Sequence, residues 1–327
     1  MKNLVHIEYL KAFSVMYIVG YWHLFNYTTA FPEYYNIFTY EFTRIVLGLF
    51  VLLSGFLVGG SAKRALSVFG FYKKRLLRIY PLYAIAVVLF YMFGLNDGLV
   101  SLKSLVFISM YTGPAPATLW FITMIFLFYL LSPLLLRYVD NTGKYLSFTC
   151  AIFIVTLILL VLFKSVDHRV LLYFPCYCLG VYCSRHGVVT RFINMKLVVF
   201  LMSLYCALLL FKSESWTLEQ IKSIPLILSI SYLIFFISYS NEYKFKSFRV
   251  ISRLSYSSYA MYLFHRPIYE ALIYLYFPIS NEGQVFYLMF YCLLIIVFTS
   301  WGMQKFYDLI YSFLFQTFYP NDFKELK

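Results

Sequence analysis

Long apolar runs separated by short polar segments dominate the chain. A helix needs about 20 mainly apolar residues to cross a hydrocarbon core of ~30 Å. Runs of that kind lie at 10–28, 42–60, 79–95, 119–136, 146–163, 170–183, 197–211, 224–240, 254–276 and 285–302, the sixth and seventh being short. The stretch 99–110, ahead of Pro114 and Pro116, is too short to span and reads as a re-entrant or interfacial helix. The pattern predicts an all-α fold, a polytopic transmembrane helical bundle of about ten spans. With no internal repeat and no long polar stretch, residues 1–327 read as a single membrane domain without a separate soluble one.

Composition agrees. Hydrophobic residues make up 62% of the chain and charged residues 13%, too little charge to cover a soluble domain of this size. The 22% aromatic content suits lipid-facing and interfacial positions. The net charge of +13 sits in short loops between apolar runs, where it sets topology and meets anionic headgroups. The expected partner is therefore the lipid bilayer and not nucleic acid. With the N-terminus inside, the cytoplasmic segments hold 20 of the 27 basic residues, from Lys2 and Lys11 through Lys63, Arg64 and Arg78 to Arg191, Lys324 and Lys327. Lys103, Lys164, Lys212 and Lys222 stay on the other side. Both termini are predicted to be cytoplasmic. The six cysteines lie in or beside apolar runs without paired CxxC spacing, so neither a disulfide nor a metal site is expected.

Ionisable side chains inside lipid are costly, and three groups of them point to function. The first is His23 in the first run, with Glu8 and Lys11 near its inner end. A neutral imidazole at that depth suits a general base. The second is Arg75 and Arg78, three residues apart and hence on one helical face, where two guanidinium forks suit a ligand with several phosphates. The third is the stripe Ser255, Ser258, Tyr262 and His265, followed by Arg266 and Pro267 deep in the expected ninth span. A polar stripe of this kind suits the wall of a pocket, although serine and tyrosine stripes also glue helices together.

Taken in order, these segments resemble the membrane acyltransferase 3 family of bacterial glycan O-acetyltransferases. The resemblance rests on Glu8-Tyr9-Leu10-Lys11 with His23, the run Phe50 to Phe56, and Arg75-Leu76-Leu77-Arg78-Ile79-Tyr80-Pro81. Leu119-Trp120-Phe121-Ile122 with Phe128-Tyr129 to Pro133, and Ser257 to His265, complete it. It implies a multi-pass protein of the bacterial cytoplasmic (inner) membrane. Its activity would be transfer of an acyl group, usually acetyl from cytoplasmic acetyl-CoA, to a hydroxyl of a glycan or lipid-linked sugar. It casts His23 as catalytic and Arg75 and Arg78 as contacts for the coenzyme A phosphates. Lys11, Tyr262 and His265 join the expected catalytic set. Trp120, Ser258 and Arg266 are expected at the substrate, Trp120 either stacking on the acceptor sugar or anchoring at the interface. A homo-oligomer is compatible with the aromatic outer surface.

Two departures accompany the resemblance. Lys11 stands where the family has arginine, and eleven residues, not ten, separate it from the histidine. At about 100° per residue the family spacing keeps the pair within about 20°, whereas eleven intervening residues would separate them by about 120°. A π-bulge at Gly20 would absorb the extra residue. The rival readings are a transporter or flippase for a lipid-linked glycan, and a membrane scaffold.

Overall fold

The computed structural model describes residues 4–61, 67–163, 165–187 and 191–318, without the side chains of 61, 191–194 and 314–318. The expected cytoplasmic positions Lys2, Lys63, Arg64, Lys324 and Lys327, the opposite-side Lys164 and both chain ends lie outside the described residues, as does the Arg191 side chain. Of the described residues 83% are helical, and none lies in a strand.

Helix α1 (Val5–Tyr17) continues into a π-turn (Ile18–Trp22) and a 3-10 turn (Leu24–Tyr27). Long helices α2 (Ile37–Ser61) and α3 (Val68–Met92) follow. The expected interfacial stretch 99–110 folds as two short helices, α4 (Gly98–Leu105) and α5 (Ser109–Thr112), broken by Phe107 at φ 59°. Then come α6 (Trp120–Tyr138), α7 (Thr142–Leu162), α8 (His168–His186) and α9 (Arg191–Leu209). The short α10 (Trp216–Ile221) leads into α11 (Ile224–Ser240) and α12 (Arg249–Leu275). The chain closes with α13 (Asn281–Phe286), a second π-turn (Tyr287–Cys292) and α14 (Leu293–Phe318). Local chemistry sets several of the starts. Asp97, Asn141 and Asp167 each accept a backbone N–H of the first turn of α4, α7 and α8, satisfying donors that no carbonyl of the helix reaches.

Among the described residues six helices are long and apolar enough to cross a membrane: Ile37–Gly60, Val68–Met92, Trp120–Tyr138, Thr142–Leu162, Trp216–Ser240 and Asn281–Phe313. The remaining expected spans fall on α1, α8, α9 and α12, which are shorter or more polar. Three of these four face protein more than lipid. Helix α1 buries His6 and Ser14, α8 buries Tyr173 and Tyr177, and α12 buries Ser255, Ser257, Ser258 and His265. The inward-facing polar residues of these helices lower their hydropathy.

The core sits where α2 meets α8. A methyl group on Gly55 would overlap the Tyr177 carbonyl, and one on Gly180 would overlap the Leu52 carbonyl. The two backbones approach so closely because neither glycine has a Cβ, the packing mode that compensates for the missing hydrophobic drive between helices in lipid. In the apolar window of α2, 67% of residues are buried against 11% for α7, so α2 is central and α7 peripheral. Helix α12 packs beside α1, α3 and α14 on the opposite flank of the core.

Candidate active site

The extra residue between Lys11 and His23 is absorbed where the spacing demands it. The His23 amide donates to the Ile18 carbonyl at 2.9 Å, five residues back, so the chain gains one residue without changing the face it presents. Gly20 lies within this turn, and a Cβ there would come within 2.9 Å of a Leu293 methyl. The turn carries His23 onto α12, where its Nδ1 lies 2.7 Å from Nε2 of His265. The rings are nearly parallel, with centroids 4.8 Å apart.

The hydrogen-bond network assigns the protons of this pair. His265 Nδ1 lies 2.9 Å from the Tyr262 carbonyl and 3.1 Å from that of Met261. Carbonyls only accept, so His265 carries its proton on Nδ1 and offers Nε2 as an acceptor. His23 must then donate from Nδ1, which leaves its Nε2 lone pair unprotonated. A histidine whose far nitrogen is fixed by a second group is the arrangement of a poised general base.

Two cavities flank the pair. The first, of about 200 Å³, is lined by Lys11, Arg75, Arg78 and Ser258, with Phe50, Ile79, Phe121 and Ile125 supplying an apolar wall. No acidic side chain is among its described lining residues. The Arg75 guanidinium lies over the rings of Tyr129 and Phe71, at 5.1 and 5.6 Å from their centroids. Ser258 donates its hydroxyl to the Ser255 carbonyl at 2.8 Å. Tyr259 donates to the Ile79 carbonyl at 2.8 Å and ties α12 to the arginine helix α3. We refer to this space as the basic cavity.

The second cavity, of about 300 Å³, contains His23 together with Trp22, Tyr40, Trp120, Tyr173 and Trp216. Its polar groups are Arg44, His168, Arg169 and Gln220. Both arginines are held and neutralised. Arg169 forks onto Asp167 with bonds of 2.8 and 2.5 Å, and Arg44 donates to Glu41 at 2.8 Å and to Ser223 at 3.0 Å. Arg169 also lies 4.2 Å above the Trp120 ring, whose other neighbour is Tyr173 at 6.1 Å. Trp120 is thus part of the wall of this aromatic cavity.

The cavities lie on opposite sides of Tyr262 along the bundle. Along α1, Lys11 faces one and His23 the other, twelve residues or about 18 Å apart on the helix axis. Tyr262 lines both. Its hydroxyl donates to the Thr118 carbonyl at 2.9 Å and its ring packs on Phe121 at 5.2 Å, so the side chain stands as a partition.

Eight of the nine expected site residues gather around these two spaces: His23, Lys11, His265, Tyr262, Arg75, Arg78, Trp120 and Ser258. Arg266 lines neither cavity, and its Nε is buried without a hydrogen-bond partner. Sequence reasoning missed Arg44, His168, Arg169, Trp216 and Gln220. Arg44 and Arg169 carried little signal, because they fall at the ends of expected spans, where basic residues are ordinary. Trp216 carried none, since its contact with His168 at 4.9 Å is purely tertiary.

The π-turn makes its own prediction. Deleting Tyr21, whose side chain is exposed, returns the segment to a regular helix with ten residues between Lys11 and His23. That deletion is expected to keep acyl transfer within about tenfold, the cost of small misplacements at about 1.4 kcal/mol. Inserting alanine after Phe13 turns Lys11 by about 100° and is expected to cost far more. Equal losses in both variants, measured as transfer rates, would remove the turn's role in phasing the helix.

A family model described as an acyltransferase domain matches residues 4–303. Searches among curated proteins and among solved structures gave no match. The matched region takes in α1 through the first part of α14, with the histidine pair and every residue lining the two cavities except Gln304 inside it. The chain therefore belongs to the acyltransferase 3 family and is a membrane acyltransferase.

Proposed function

We propose that the protein moves an acyl group, acetyl in the first instance, from acyl-CoA in the basic cavity to a sugar hydroxyl in the aromatic cavity. The observation that carries this reading is the His23–His265 pair, its tautomers fixed, at an aromatic space that meets a cationic one at Tyr262. The donor and acceptor differ in the chemistry that holds them, and so do the cavities. Three lining cations, Lys11, Arg75 and Arg78, suit the phosphates of coenzyme A, with guanidinium forks binding them bidentately. The apolar wall of Phe50, Ile79 and Phe121 suits its pantetheine arm. The aromatic cavity has its charges balanced and offers flat rings with hydrogen-bonding groups at their edges, which suits a pyranose.

In this reading Arg75 and Arg78 hold the phosphates, and Lys11 adds a third positive charge. The acceptor stacks on Trp120 and points a hydroxyl at His23 Nε2. His23 takes the hydroxyl proton as the oxygen attacks the thioester carbonyl. The carbon–sulfur bond breaks, an ester forms, and the proton on His23 passes to the leaving thiolate. His265 holds His23 in the reactive tautomer and disperses the transient positive charge. An acyl-imidazole at His23 Nε2 is the alternative route, with the same tautomer requirement. The charge asymmetry of the loops supports a bundle of about ten spans with both termini in the cytoplasm and the basic cavity facing the cytoplasmic pool of acyl-CoA. We place the protein in a bacterial inner membrane, acting on a surface or lipid-linked glycan.

The direct test is binding of coenzyme A to the purified protein in detergent. Each charge-assisted phosphate contact contributes ~1.5–3 kcal/mol, so Arg75→Ala/Arg78→Ala is expected to weaken binding at least about a hundredfold. His23→Ala is expected to bind as the parent does. No saturable binding by folded parent protein would favour transport of a lipid-linked glycan without acyl transfer.

A further inference from the structure

A space larger than either of these cavities lies outside the active site. It is a groove of about 530 Å³ between α7 and α8, open on the bundle's outer side. On α7 it is lined by Thr142, Leu146, Thr149 and Ile154, spaced as one helical face, and on α8 by Pro175 and Tyr182. Leu146 and Ile154 are 61% and 54% exposed, although they belong to the helix with the highest mean hydropathy among the six apolar ones, 2.6. Thr142 and Tyr182 join hydroxyls at 3.0 Å across one end. Beside that end stand exposed Lys144 and the Arg185–Asp140 pair, whose bonds measure 2.7 and 3.1 Å.

We propose that this groove is a binding site for one acyl chain of an anionic membrane phospholipid, with the headgroup at Lys144. Three observations select that occupant. From Thr142 to Ile154 the groove runs about 18 Å at ~1.5 Å per residue, close to half of a ~30 Å hydrocarbon core and so one leaflet deep. A neighbouring helix would need a face running the full depth. The lining is almost wholly apolar: the Thr142–Tyr182 hydroxyl pair marks one end, and Thr149 turns its hydroxyl onto the Leu146 carbonyl, which matches a chain with a single polar terminus. That end is also the end of the basic cavity, since Tyr72 and Arg75 of α3 meet Leu130 and Tyr129 in the half of α6 that leads into α7. Basic residues concentrate there, and anionic headgroups are drawn to them. The inference stands whether or not the protein transfers acyl groups.

Native mass spectrometry of the purified protein, delipidated and then given phosphatidylglycerol or phosphatidylcholine, tests it. The expected result is one retained phospholipid, with phosphatidylglycerol preferred about fivefold for each basic residue at the headgroup. Thr149→Trp fills the groove and is expected to remove the adduct. Val155→Trp, on the same helix but not in the groove lining, is expected to keep it. Lys144→Glu leaves the packing untouched and is expected to retain the lipid while losing about fivefold of the preference. Thermal melting of each variant reads folding separately. No retained lipid on the parent protein, equal retention by folded Thr149→Trp, or an unchanged preference in Lys144→Glu would overturn the proposal. A dimer that dissociates in Thr149→Trp would overturn it too, assigning the groove to a second copy.

Discussion

His23→Ala is expected to lower acyl transfer by about 10²–10⁴, the range general acid–base catalysis supplies, with coenzyme A binding unchanged. The two readouts separate because His23 faces the aromatic cavity while the cations proposed to hold phosphate face the other one. The partner histidine should matter through tautomer alone. His265→Leu leaves the His23 Nδ1 proton without an acceptor in a buried position, a loss of ~1–3 kcal/mol, or about ten- to a hundredfold in rate. His265→Gln is expected to recover much of that, because an amide oxygen can accept from Nδ1 while the amide nitrogen serves the carbonyls of Met261 and Tyr262. The measurements are O-acetyl content of surface glycan in cells carrying each variant, and thiol release from acetyl-CoA by proteoliposomes given native membrane glycan. If His23→Ala keeps a tenth of parental activity, His23 is not the base. If His265→Gln falls as low as His265→Leu, the tautomer account fails even though the pair is real.

Much of this site was legible because lipid makes polar residues conspicuous. His23, His265 and the Arg75/Arg78 pair stand out against apolar runs by the same rule, and they come together around one pair of cavities. The π-turn was legible as well, for a different reason: one extra residue in a helix must rotate the face or be absorbed, and Gly20 marks where it is absorbed. The aromatic cavity was not read. Arg44 lies two residues inside an expected span and Arg169 one residue before another, so both pass as ordinary ends of spans when taken singly. Their meaning depends on Trp120, Trp216 and Gln220, which come from helices far apart in sequence. The neutral pairing of Arg44 with Glu41 is a local three-residue offset and was available. The pairing of two cavities through one tyrosine was not, because it is a property of the space between helices.

That tyrosine carries the other large effect. Tyr262→Ala is expected to let acetyl-CoA be hydrolysed without acceptor, while Tyr262→Phe is not. In the parent protein the ring stands between the cavity that contains the cations and the cavity that contains the base, with Phe121 against it and the Thr118 carbonyl holding its hydroxyl. An acylating site that faces water on its acceptor side must keep that water from the thioester until a sugar displaces it. Removing the ring joins the two spaces and gives water on the His23 side a path to the thioester, with His23 Nε2 ready to take its proton. A barrier lowered by only ~1.4 kcal/mol already raises the leak about tenfold. Phenylalanine keeps the ring and loses one hydrogen bond of ~1 kcal/mol, so it should cost stability and not separation. Thiol release from acetyl-CoA by purified protein without glycan distinguishes the cases, with coenzyme A binding as the check on folding. A folded Tyr262→Ala variant that binds coenzyme A and leaks no faster than the parent would mean that the barrier between donor and water lies elsewhere, with Phe121 the next side chain to test.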